Sequence, residues 1–141
     1  MSAMKKKTVF DVNIWLHYFI SGKTEKIIDM IENNSVFFYR SEELISELKD
    51  VINRPKFAKY FSNGTEDHIS FVEQVAEFII TQPFFNQCSD PKDNYLFDLA
   101  YQSNSDFLVS GDKKVLATPV KQSLKVLSLF AFKAEIGCSL F

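Results

Sequence analysis

The sequence predicts an α/β domain on a mostly parallel sheet. Short β-branched and aromatic runs of strand length alternate with segments whose apolar residues recur at helical spacing. No repeat, low-complexity tract or linker breaks that alternation. Strands separated by helices join through right-handed crossovers, which makes the sheet parallel. With 141 residues and 46% hydrophobic content, residues 1–141 suit one domain with a full core.

Taken in order, "KTVF" reads as a buried first strand ending at Asp11, and "NIWLHYFI" as a helix stopped near Gly22. "TEKIIDMIENN" places Ile27, Ile28 and Ile31 at helical spacing, and "SVFFY" is the second strand. "SEELISELKDVINRP" reads as a helix with Ser41 as N-cap, two acids in its first turn and Pro55 as its stop. "KFAKYF" adds a helical turn, and Asn63-Gly64 marks a loop, with Thr65 capping a long helix that should run through Gln82 to Pro83. A short "FFN" strand, a helix from Pro91 to about Asn104, and a "DFLV" strand follow. The last segment, "LKVLSLFAFKAEI", begins as strand and ends as helix.

Several function classes drop out on composition. A net charge of −2 provides no global basic field, so any nucleic acid must be held locally. Asp11 and Asn13 interrupt the apolar run that a signal peptide needs, and no segment approaches the roughly 20 apolar residues of a membrane span. Cys88 and Cys138 are too few for a disulfide scaffold or a four-ligand zinc site, which favours a reduced, cytoplasmic setting. His17 and His68 lack metal-ligand spacing and read as packing or surface residues.

In open parallel sheets ligands bind beyond the carboxyl ends of the strands, so residues just after strands are the ones to inspect. Asp11 follows the first strand, with Asn13 pointing the same way if the backbone stays extended. Asp112 follows "DFLVSG", where Ser110 offers a hydroxyl and Gly111 permits a sharp turn. Glu47 lies at the margin of the stripe formed by Leu44, Ile45, Leu48, Val51 and Ile52, whereas Glu42, Glu43 and Asp50 fall further round. In "SDPKDNYLFDLAYQ" Asp90 reads as N-cap, Pro91 as the first helical residue, Asp93 as a first-turn acid and Asp98 as solvated. Each of these acids also has a plain reading as a helix cap or a solvated edge charge. Gathered at one sheet edge, they would repel until a hard divalent cation neutralised them, and oxygen-only donors select magnesium or manganese over zinc. Such a site suits phosphodiester hydrolysis.

"TVFDVNIW", "SEELISELKDVINRPKF", "DPKDNYLFDLAYQSNSDFLVSGDKKVL" and "LSLFAFKAEI" together resemble, in order and spacing, the PIN-domain toxins of bacterial toxin-antitoxin pairs. The resemblance covers almost the whole chain. It implies a five-stranded parallel sheet with helices on both faces in a three-layer α/β/α arrangement. It also implies an acidic quartet of Asp11, Glu47, Asp93 and Asp112, with Asn13 and Ser110 as supporting polar groups, and an endoribonuclease neutralised by a small antitoxin protein. Two positions depart from the family pattern. Val12 stands where a Thr is usual, and Lys114 stands where a second acid commonly follows "GDK"; Asp90 could partly compensate.

The resulting expectation is a magnesium- or manganese-dependent ribonuclease. Asp11, Asp93 and Asp112 would hold the metal, Glu47 would complete the shell or orient water, and Arg40, Arg54, Lys56, Lys113 and Lys114 would steer RNA. The competing expectations are a catalytically degenerate RNA- or protein-binding module and, less well matched, an acidic-pocket phosphatase. The 15% aromatic content raises the expectation of an apolar patch for a homodimer or a partner, with Phe57 to Phe71 as the best stretch.

Overall fold

A computed structural model describes residues 4–137. The elements run β1 (Lys6–Phe10), α1 (Val12–Ser21), α2 (Thr24–Asn34), β2 (Val36–Arg40), α3 (Glu42–Ile52), a 3-10 helix (Pro55–Tyr60), α4 (Glu66–Val75) and β3 (Ala76–Phe78). A 3-10 turn (Pro91–Asp93), α5 (Asn94–Gln102), β4 (Phe107–Val109), α6 (Lys113–Leu116), β5 (Lys125–Leu127) and α7 (Leu129–Ile136) complete the chain. The strands form one five-stranded sheet in the order β3-β2-β1-β4-β5, with every neighbouring pair parallel.

Local chemistry explains most boundaries. Gly22, at φ 66°, closes α1 in the left-handed conformation that glycine adopts without steric penalty. Ser41 accepts a hydrogen bond from the Leu44 N–H and caps α3. On one face of the sheet Phe10 packs edge-on against Trp15 of α1, Phe38 of β2 and Phe132 of α7. α5 packs against β1, β2 and β4.

Five expectations need correction. The long helix expected to reach Gln82 stops at Val75, and Ala76–Phe78 join the sheet edge instead. Helical periodicity there yields to tertiary pairing: Ile79 N–H donates to the Arg40 carbonyl at 2.9 Å, and Arg40 Nε donates to the Ala76 carbonyl at 3.0 Å. "FFN" is not a strand. Its Phe84 and Phe85 N–H groups donate to Asp98 Oδ1 at 3.0 and 2.8 Å, and the Phe85 ring stacks on Phe97. Asp98 is therefore buried rather than solvated, because it is the acceptor for a loop that has no strand to pair with. The capping roles expected of Thr65 and Asp90 are also absent, since neither side chain makes a cap hydrogen bond. Cys138 lies outside the described residues; Cys88 is buried and free. Among the described residues no helix is long and apolar enough to cross a membrane.

Candidate active site

The chain builds outward from β1 to β2 and β3, then crosses back to place β4 on the other side of β1. That reversal opens a crevice at the carboxyl ends of β1 and β4. Asp11 leaves β1 there, and Ser110, Gly111 and Asp112 leave β4. α3 contributes Glu47, and the turn before α5 contributes Asp93. All four expected acids line one cavity of about 280 Å³, with Asn13, Val51, Arg54, Lys56, Phe57, Lys92 and Tyr95 among the other lining residues. A larger cavity of 470 Å³ lies between Phe84, Phe85, Tyr101 and Val120. It is lined by no carboxylate, so size alone does not select the site.

A small hydrogen-bond network ties the two strand ends together. Ser110 Oγ donates to Asp11 Oδ2 at 2.7 Å and accepts from the Asp112 N–H at 3.0 Å. Asn13 donates to Asp11 Oδ2 at 3.3 Å and accepts from the Gly111 N–H at 3.1 Å. Asn13 and Ser110 thus hold Asp11 and the β4 exit in register. Gly111 is not demanded by close approach, because a Cβ there would meet Asn13 Oδ1 at an ordinary 3.7 Å.

The plain and functional readings of Asp11 and Asp112 coincide. Asp11 caps α1 through a 2.6 Å hydrogen bond from the Val12 N–H, and Asp112 caps α6 through 2.9 Å from the Lys114 N–H. Asp93 differs. Its side chain caps nothing, and its buried Oδ2 has no hydrogen-bond partner. Burial, helped by the negative charges of Asp11, Asp90 and Asp112, pushes the Asp93 carboxyl up to about 6 against the relief from Lys92. Burial also raises the Asp11 carboxyl, as do Asp112 and Glu47, while the hydrogen bonds from Ser110 and Val12 oppose the rise. Tyr95 is held in its protonated form by burial and by Asp11, Glu47, Asp93 and Glu43, so its hydroxyl keeps its proton.

An unpartnered carboxylate oxygen amid other carboxylates is the donor chemistry that a hard divalent cation satisfies. The residues therefore fit magnesium or manganese in donor type. As the side chains stand, no three His, Cys, Asp or Glu groups among the described residues are drawn close enough to grip one ion. The Asp11 carboxylate is engaged by three donors.

Residues 7–114 match the PIN domain family. This chain is a PIN domain protein. PIN domains are a family of nucleases that generally use divalent metals. The chain is also 28% identical over 121 residues to an uncharacterized protein of Methanocaldococcus jannaschii, covering 83% of this chain and 77% of that protein.

The expected cations divide. Arg54 and Lys56 line the acidic cavity of this PIN domain, whereas Arg40 lines a separate one beside Phe78. Lys113 and Lys114 are exposed on α6 and do not line the acidic cavity. Asp90 pairs with Lys92 at 3.8 Å and acts on Asp93 through its charge. Sequence reasoning missed Lys92 and Tyr95, and it gave Phe57 to a partner surface rather than to the cleft. Lys92 and Tyr95 flank Asp93 by one and two positions, which was the available signal.

Proposed function

We propose that this PIN domain protein is a metal-dependent endoribonuclease, and that it serves as the toxin of a toxin-antitoxin pair with a small antitoxin protein as partner. The observation that carries the nuclease reading is the buried, unpartnered Asp93 Oδ2, in a carboxyl group on which the charges of Asp11 and Asp112 act. Asp11, Asp93 and Asp112 would hold magnesium or manganese. The bound ion supplies Lewis acidity towards a phosphoryl oxygen and lowers the pKa of water. Ser110 and Asn13 fix the Asp11 carboxylate, Glu47 orients the attacking water, and the Tyr95 hydroxyl donates to a substrate oxygen. Arg54, Lys56 and Lys92 draw the RNA backbone into the cleft by sequence-independent charge. The toxin role rests on the resemblance of the sequence blocks to toxin PIN domains. Purified protein incubated with RNA and manganese should cleave it, and Asp11→Asn should not; equal cleavage by both forms would defeat the assignment.

Two observations favour a second reading, a PIN-fold RNA- or protein-binding module without catalysis. Lys114 is exposed where a further acid would stand, and among the described residues no three carboxylates converge as the side chains lie. Calorimetric titration with manganese separates the two. A degenerate pocket gives no heat that depends on Asp93.

A further inference from the structure

The cavity over the acids does not end at Glu47. A second cavity of about 450 Å³, lined by Glu42, Glu43, Ser46, Glu47, Lys92 and Tyr95, shares Glu47, Lys92 and Tyr95 with the first. The two make one groove along α3, whose 11 residues span about 16 Å. Its ends carry opposite charge. Past the carboxyl end of α3 stand Arg54, Lys56 and the half-buried Phe57 ring. At the amino end stand Glu42 and Glu43, both exposed. The helix dipole adds only about half a positive charge at that end, which two carboxylates outweigh.

Resting on the nuclease reading, we infer that single-stranded RNA lies in this groove asymmetrically. Its backbone phosphates are gripped on the Arg54, Lys56 and Phe57 side of the acids and repelled on the Glu42 and Glu43 side. Phosphate contacts provide most of the sequence-independent affinity. The strand therefore needs several nucleotides on the cationic side of the bond that breaks and almost none on the acidic side. Glu42 and Glu43 set that limit without touching the reacting atoms.

The test maps manganese-dependent cuts in random-sequence, unstructured RNA about 20 nucleotides long, labelled at either end and long enough for several phosphate contacts. Cuts should approach one terminus closely and stop several nucleotides short of the other, where the cationic end needs phosphates to hold. Arg54→Gln with Lys56→Gln should lower kcat/KM about tenfold, and Glu42→Gln with Glu43→Gln should raise it several-fold. Equal stopping distances at both termini, or two double variants that shift cleavage in the same direction, would overturn the asymmetry and leave the nuclease reading intact. If the wild type cuts nothing, the nuclease reading fails instead. Fluorescence anisotropy with the same RNA then decides the asymmetry: opposite changes in affinity for the two double variants support it, and equal or like-signed changes overturn it.

Discussion

Asp93 and Asp98 belong to one short stretch of chain, yet the fold treats their charges in opposite ways. Asp98, in the middle of α5, is buried and accepts from two loop N–H groups, so its charge is answered by the chain itself. Asp93, at the start of the same helix, has a buried oxygen that nothing answers and three carboxylates acting on it. Burial of a carboxylate thus has two outcomes along this helix, a charge met by donors at Asp98 and an oxygen left without one at Asp93. Donors alone do not separate the two classes, since Asp11 of the cleft accepts three hydrogen bonds; what sets Asp93 apart is a buried oxygen without one.

The sharpest way to break this comparison is to remove each charge and read both activity and stability. Asp93→Asn should reduce manganese-dependent cleavage by at least about a hundredfold while leaving the protein folded, which single-turnover cleavage and circular dichroism would check. Asp98→Ala should act on the fold instead. Losing two hydrogen bonds to a charged acceptor should lower unfolding free energy by about 3 kcal/mol, measured by urea denaturation. A comparable loss of stability in Asp93→Asn would erase the distinction. Ser110→Ala, which frees Asp11 Oδ2 from its shortest side-chain donor, should lower cleavage about tenfold through mispositioning.

A smaller effect follows from pH. Because the Asp93 value of about 6 lies above the ordinary 3.8, its ionised form opposes folding. That opposition is complete above about pH 6 and vanishes below about pH 4, so without divalent cation thermal stability should rise as pH falls through this window. Manganese should raise the Tm at pH 7.5 and do so less at pH 5, when protonation competes for the same oxygens. Differential scanning fluorimetry across that range reads both trends. A Tm that is flat in pH and indifferent to manganese would mean that Asp93 is as well answered as Asp98.

Much of this was legible in the sequence because the signals were local. The stop at Gly22, the Ser41 cap, and the acids placed just after apolar runs follow from residue chemistry within a few positions. The all-parallel sheet follows from the alternation of strand and helix. What stayed hidden depended on distant partners. Val75 ends α4 because β2 offers hydrogen bonds to the following residues, and Asp98 is buried because a loop ten and more residues upstream lacks acceptors. Glu47, which the helical wheel preferred over Glu42, Glu43 and Asp50, lines the acidic cavity. The wheel was silent on Tyr95, whose place in the cleft depends on how α5 meets α3.

The central claim is that burial, helped by the neighbouring carboxylates, raises the proton affinity of Asp93 until a divalent cation replaces the proton. Carbon-13 NMR titration of the Asp93 side-chain carboxyl, with and without saturating magnesium, tests it most directly. The expected midpoint is about 6 without the ion, falling below about 4 with it. A midpoint near that of an ordinary aspartate in both conditions, or one that magnesium leaves in place, would contradict the account.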